Sequence, residues 1–176
     1  MIPEIETGRL RMTAPTEDHL PGEIGFWASE RSKFVGGPQP ARRVWRILAI
    51  WRGHWELRGY GAWSLMEKAT GAHLGFAGIW HPYEWPEPEA AYHLFEGATG
   101  KGYATEAVRA TLEFAYRNLG WKTLASFIAA ENSASQNVAK RLGAARSGET
   151  FRAAPDEPEV EIWRYPSPDA LPEPAR

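Results

Sequence analysis

Apolar positions recur along this chain at two different periods, and the switches between them mark out its elements. Residues 7–13 alternate with a period of two, which puts Leu10 and Met12 on one face of a strand. Thr16 suits the N-cap of a helix running to about Ser29, with Glu17 and Asp18 in its first turn. Beyond the loop SKFVGGPQP, Val44, Leu48, Trp51 and Trp55 recur at helical spacing and predict a helix over roughly 40–58. Residues 60–67 and 73–80 flank Lys68-Ala69-Thr70-Gly71-Ala72 and read as a hairpin. The segment HPYEWPEPE interrupts regular structure before a strand at 89–95. A long helix follows over about 102–119, with Ala104, Val108, Thr111, Ala115 and Leu119 on its buried face and Gly120 at its C′ position. An apolar strand at 122–130, a short helix at 133–142 stopped by Gly143, and strands near 144–152 and 158–165 complete the pattern.

The order β-α-α-β-β-β-α-β-α-β-β predicts an α+β domain: a mixed, mostly antiparallel twisted sheet with helices on its faces. The domain takes in residues 1–166, and the proline-rich remainder, 167–176, reads as a mobile tail. A chain of 176 residues with 43% hydrophobic and 24% charged content fits one ordinary core. No apolar run approaches the roughly 18–20 residues that span a bilayer. The start MIPEIETGRL has neither the basic nor the apolar region of a signal peptide, so a cytoplasmic location without a membrane partner is expected. The absence of cysteine excludes disulfides, a thiol nucleophile and cysteine-ligated zinc, and no metal is expected.

The net charge of −2 is spread evenly, so nucleic acid is not an expected partner. Arg42, Arg43, Arg46, Arg52 and Arg58 form the one basic concentration, read as a solvated helix face or as guidance for an anionic ligand. Nine tryptophans are many for this length. Trp27, Trp45, Trp51, Trp55, Trp80 and Trp85 fall on early helices or in a loop, where they serve the core or wall an acceptor pocket.

The most informative stretch is YHLFEGATGKGYATEAVR, from Tyr92 to Arg109: strand, glycine-dense turn, amphipathic helix. Gly97, Gly100 and Gly102 permit φ > 0 and close approach to a ligand. The helix behind them points unpaired N–H groups and its positive dipole end at the turn. That makes either an anion cradle or a corner whose glycines only relieve strain. A P-loop is excluded, because Lys101 is followed by Gly102 and not by Ser or Thr. A dinucleotide fingerprint is excluded as well, because Thr105 stands where its third glycine belongs.

With these elements in place, the chain resembles the GNAT acetyltransferase superfamily, and within it the branch that includes the Rim-type ribosomal-protein N-acetyltransferases. The resemblance runs from GRLRMT to EIWRYP, and its specific core is TGKGYATEA (Thr99 to Ala107) followed by NSASQNVAKRLGA (Asn132 to Ala144). It implies acetyl-CoA as acyl donor, with the pyrophosphate on the backbone N–H groups of Thr99, Gly100, Lys101, Gly102, Tyr103, Ala104 and Thr105. The signature usually begins with Arg or Gln, and Thr99 lacks that long side chain but keeps the backbone donors. Lys101 and Lys140 are either additional charge near the phosphates or ordinary solvated lysines.

The resemblance further implies that the pantetheine arm lies beside strand 89–95 where it diverges from 122–130. A backbone N–H at Leu94 or Phe95 would then polarise the thioester carbonyl. Asn132 and Asn137 match the second block: Asn132 is a pantetheine ligand or a plain helix N-cap, and Ser135 a proton source for the departing thiol or a helix-face serine. Some branches carry a tyrosine seven residues after that asparagine, and here the position is Ala139. Glu89, thirteen residues before Gly102 where many members carry a catalytic glutamate, is the first candidate to take the amine's proton. His93, on the same strand face, is the second. Each also reads as structural, and His81 and Glu84 are too loosely placed to assign.

The implied activity is an acetyl-CoA-dependent N-acetyltransferase acting on a primary amine, a protein N-terminus or a small molecule, by direct attack in a ternary complex. The alternative is a non-catalytic CoA- or acyl-CoA-binding sensor or partner-binding module. Strands 144–152 and 158–165, taken as edges, would offer a pairing surface for a homodimer.

Overall fold

The computed structural model describes residues 1–155 and 157–173; positions 174–176 of the expected tail lie outside them. One sheet holds eight strands in the order β1-β2-β3-β4-β5-β6-β8-β7. They are β1 (Ile5–Glu6), β2 (Leu10–Thr13), β3 (Ala62–Glu67), β4 (His73–Trp80), β5 (Glu89–Leu94), β6 (Ala125–Ile128), β7 (Ala145–Phe151) and β8 (Val160–Arg164). Neighbours are antiparallel except β5 and β6, which are parallel.

Alternate residues of the central strands enter two separate hydrophobic clusters, so the sheet is buried on both faces. Ala77, Ile79, Ala90 and Leu94 join the cluster of α3 (Tyr103–Asn118) and α4 (Ser133–Arg141). Phe76, Ala91 and Phe95 join that of α1 (Leu20–Trp27) and α2 (Ala41–Arg58). The helical spacing read in α2 is realised: Val44, Leu48, Trp51 and Trp55 are all buried, and Gly59 closes the helix with φ 74°. Trp51 stacks on Phe76 at 4.1 Å, worth about 0.5–1.5 kcal/mol beyond the area it buries. In α3, Val108, Thr111 and Ala115 are buried as expected, while Ala104 and Leu119 are half-buried. The inward face also takes Ala107, Leu112 and Phe114, because α3 packs on β4, β5 and β2 as well as on α4.

Several boundaries differ for local reasons. The strand expected over 7–13 starts only at Leu10, because Thr7 closes a turn by donating its N–H to Leu10 O at 2.9 Å, and a short strand not expected, β1, precedes that turn. The first helix begins as a 3-10 turn (Glu17–His19), and a further 3-10 segment (Glu30–Val35) lies partly within the expected loop. The strand expected over 122–130 is four residues long, since its partner β5 departs from it. Of the two expected edge strands, β7 is an edge, but β8 lies between β6 and β7 and has no free side. Within 167–173, Leu171 packs on the core and Pro172 O accepts from Arg109 Nη2 at 2.6 Å.

Candidate active site

β5 ends at Leu94, and the chain turns through 95–102 into α3. Gly97, Gly100 and Gly102 take φ of 80°, 76° and 84°, a region that side-chain-bearing residues rarely enter. A Cβ at Gly97 or Gly100 would meet nothing within 4 Å, so conformation demands these glycines and the space beside the turn stays open. Ala98 N–H is bonded to Phe95 O, and the next backbone bond is Glu106 N–H to Gly102 O at 3.1 Å. Between them, no described residue accepts from the N–H groups of 99–105. This is a longer run of free donors than the four that a helix start leaves.

A network unforeseen in the sequence fastens the cradle. Arg9, in the turn before β2, sends Nε (2.8 Å) and Nη2 (2.7 Å) to Glu106 Oε2, and its Nη1 to Lys101 O (2.8 Å). The N–H of Arg9 and the Thr7 hydroxyl both reach Glu106 Oε1, at 2.7 and 2.6 Å. Burial alone would raise the Glu106 pKa, but these donors outweigh it and hold the carboxylate below its ordinary range. The guanidinium also covers the Tyr103 ring at 4.6 Å, and the Tyr103 hydroxyl donates to Glu67.

β5 and β6 share a single parallel pair, Glu89 opposite Ala125, and then separate. Phe95 donates its N–H to Leu74 O at 2.8 Å. By the antiparallel alternation, 91 and 93 also turn their backbone groups to β4, whereas 90, 92 and 94 turn theirs toward the gap. Two bonds agree with this parity: Ala90 O accepts from Ser126 Oγ (2.6 Å) and Leu94 O from Arg31 Nη2 (3.2 Å). The expectation of a free donor at Phe95 is therefore corrected, since its N–H is spent within the sheet; Leu94 and Tyr92 face the gap.

Glu89 closes the narrow end of the gap, accepting from Phe127 N–H at 3.1 Å. It is 8% exposed, and burial pushes its carboxyl up to about 8, against the opposing pull of the Phe127 N–H and the nearby Trp85 indole. The Trp85 indole N–H is itself buried without a hydrogen bond, with its ring stacked on Phe127 (5.8 Å) and edge-on to Phe151 (4.8 Å). Glu89 and Leu94 stand at opposite ends of β5, on the order of 17 Å apart along the strand. They cannot both touch one small reacting group.

His93 adjoins Leu94 and points to the α1–α2 face. Its ring stacks on Phe26 (4.1 Å) and Phe76 (5.3 Å), and Nε2 lies 2.8 Å from Glu23 Oε2. Glu23, from α1, is 1% exposed, and its Oε1 has no hydrogen-bond partner. His73 Nε2 is 3.7 Å from that oxygen and is engaged with Gly75 O at 3.0 Å. Burial pushes His73 down to about 4 and lowers His19, so both stay neutral near pH 7. Glu23 went unnoticed in the sequence because nothing local marks a carboxylate whose partner lies seventy residues on.

On the other face, Asn132 caps α4, its Oδ1 accepting from Ser135 N–H at 3.1 Å. Ser135 is half-buried near the Tyr92 hydroxyl, and burial raises the pKa of that phenol. Asn137 is exposed, Ala139 is buried, and Lys140 Nζ rests 5.6 Å over the Trp163 ring. His81 is held by Tyr60 OH (2.9 Å) and Arg58 (3.2 Å), while Glu84 is exposed. Trp27, Trp51 and Trp55 are core residues, Trp80 is half-buried, and Trp45 is exposed with its indole on Glu17 (2.9 Å). All five arginines of α2 are exposed.

The model of the acetyltransferase (GNAT) domain matches residues 9–145. A crystallised acetyltransferase from Agrobacterium tumefaciens strain C58 is 34% identical, with a TM-score of 0.83 over 94% of this chain and 95% of that one. RimL, the ribosomal L7/L12 α-N-protein acetyltransferase solved with coenzyme A, is 17% identical and shares the fold, with a TM-score of 0.73 over 94% and 98%. YkkB, an uncharacterized protein of Bacillus subtilis strain 168, is 34% identical over 91 residues, 49% of this chain; the match spans about half of that relative, 52%. Among the described residues, no helix is long and apolar enough to cross a membrane.

Proposed function

The chain belongs to the GNAT acetyltransferase family, and from that premise we propose that it passes the acetyl group of acetyl-CoA to a primary amine by direct attack in a ternary complex. The observation that carries this reading is the run of free N–H groups from 99 to 105, beside a gap between two diverging parallel strands.

The fit of the coenzyme rests on groups that the fold leaves without partners. Thr99, Gly100, Lys101, Gly102, Tyr103, Ala104 and Thr105 would hold the diphosphate through their N–H groups, helped by the positive end of α3. Tyr92 would offer its backbone groups to the amides of the pantetheine arm. Asn132 keeps its side-chain N–H₂ for the same arm once its oxygen has capped α4, and Asn137 lies on the exposed side of that helix. Acetyl-CoA, when bound, supplies an activated acyl carbonyl. Leu94 N–H is the donor for that carbonyl oxygen as charge develops on it.

An ammonium has no lone pair, so the acceptor must surrender a proton to react. His93 stands one residue from Leu94, whereas Glu89 stands five residues away and still holds its proton near pH 7. The geometry thus favours His93 as the proton acceptor and Glu89 as the closure of the gap. Ser135, with Tyr92 beside it, serves the departing thiolate from the opposite face. With no cysteine in the chain, an acyl-cysteine intermediate has no carrier, which favours direct attack.

The shared fold with RimL directs the acceptor search toward protein N-termini alongside small amines. The test is thiol release from acetyl-CoA against a panel of N-terminal peptides and small primary amines. Amine-dependent release is expected. Tight coenzyme binding with no turnover on any amine would leave a non-catalytic binding module, and no binding at all would end both readings.

A further inference from the structure

Glu23 is a buried carboxylate that the mechanism so far does not use. Resting on the proposed acetyl transfer, we propose that Glu23 is a positioning residue: it holds the His93 ring with Nε2 protonated and Nδ1 bare, so that Nδ1 is the atom that takes the acceptor amine's proton.

With Glu23 as a carboxylate, whose oxygens only accept, the 2.8 Å contact puts the hydrogen on His93 Nε2. In a neutral imidazole the other nitrogen then carries the lone pair. Among the described residues His93 Nδ1 has no hydrogen-bond partner. The ring is thus held at one nitrogen and unpaired at the other. Stacking on Phe26 and Phe76, with Trp27 edge-on and Trp51 tilted against it, leaves the imidazole little freedom to rotate. A base oriented by a buried carboxylate is the arrangement that general-base catalysis calls for.

The other charged or titratable groups facing this pair do not compete for the role. His73 from β4 and His19 from the turn before α1 are kept neutral by burial, and Arg31 is spent on Leu94 O. Glu89 shares the strand face but lies at the far end of β5. Glu23 Oε1 stays without a donor at 1% exposure, a costly condition that native structures rarely keep without a use for it.

The step balances as follows. The lone pair of the neutral amine forms the N–C bond to the acyl carbon, the C–S bond breaks, and one amine proton passes to His93 Nδ1. The sulfur leaves with the C–S electron pair and takes a proton from the Ser135 side or from water. His93 then returns its proton to solvent.

The experiment pairs activity with ring-nitrogen NMR of histidine-labelled protein. Wild type should show the Nε2–H tautomer at His93. Glu23→Gln should lower kcat by roughly 100-fold or more while the KM for acetyl-CoA stays near the wild-type value. His93→Ala should lose as much, and the double variant little further, because the two act as a unit. An Nδ1–H tautomer in wild type overturns the inference, and so does full kcat in Glu23→Gln. Wild type that turns over amines beside an unimpaired Glu23→Gln sinks this inference alone. Wild type that binds acetyl-CoA but acetylates no amine sinks the proposed function and this inference with it.

Discussion

The two sides of the β5–β6 gap are built from different materials. The side proposed for the coenzyme is backbone: a glycine turn, the start of α3, and free N–H groups whose positions follow from dihedral angles. The opposite side is made of side chains from separate elements: Glu23 from α1, Trp51 from α2, Phe76 from β4 and His93 from β5. A backbone site tolerates drift in side chains as long as its φ angles survive. A side-chain site depends on packing several elements in register, and one added methyl can disturb it. The same contrast separates two buried carboxyls. Glu23 shares a hydrogen with an imidazole, while Glu89 has the Phe127 N–H and the nearby Trp85 indole, too little to offset burial, and keeps its proton to about pH 8.

The largest expected effect belongs to that second carboxyl. Folded Glu89 holds its proton up to about pH 8, whereas the unfolded chain releases it near 4.5. Between these values the folded state binds more protons, so the Glu89 contribution is intact below about pH 4.5 and is lost as pH rises through 8. Denaturant unfolding of wild type and Glu89→Gln at pH 5 and pH 8.5 should differ in ΔΔG by on the order of 4 kcal/mol, the variant gaining at high pH. A pH-independent difference would show that Glu89 is not buried as described. The same variant should keep most of its acetyl-transfer rate, unlike Glu23→Gln.

Next comes the cradle. Aspartate tolerates the left-handed region better than most residues, so Gly100→Asp should fold while setting a carboxylate against the anion site. Calorimetry should find acetyl-CoA bound roughly 100-fold more weakly, or about 3 kcal/mol. Unchanged affinity would remove the anion from the turn.

One glycine then sharpens the difference between the sides. A Cβ at Gly22 of α1 would come within 2.6 Å of Phe95 and 3.2 Å of His73 Nδ1, so Gly22→Ala should cost about 2 kcal/mol by pushing α1 off β5. It should slow turnover more than it weakens coenzyme binding. Equal losses in both would mean the two sides are not separable. The smallest effect is expected from Arg9→Met, which frees the cradle from β2. A half-exposed ion pair is worth about 1 kcal/mol or less, so thermal unfolding should shift by only a few degrees and coenzyme affinity only severalfold.

This division also explains what was legible in the sequence. Period-two and helical patterns located the four α-helices of the described residues and most strands, because both faces of the sheet are covered and each element must present an apolar side. The cradle was readable since φ > 0 leaves glycine as its mark at 97, 100 and 102. The parity of β5 was not, since nothing local says which backbone groups face a gap, and Phe95 was read as free for that reason. Glu23 and the Arg9–Glu106 clamp escaped notice because each joins residues far apart in the chain, and only the packed fold brings them together. Strand 158–165 was taken for an edge because strand order within a sheet leaves no trace in a strand's own pattern.

The central claim, that unpaired main-chain amides after β5 grip the coenzyme, is tested most directly by following backbone amide resonances during a titration with coenzyme A. The account expects the largest shifts at residues 99–105 and at Leu94, with little change at Gly71 or Gly120, whose turns also have φ > 0 but lie elsewhere. Saturable binding that leaves 99–105 unmoved would contradict it.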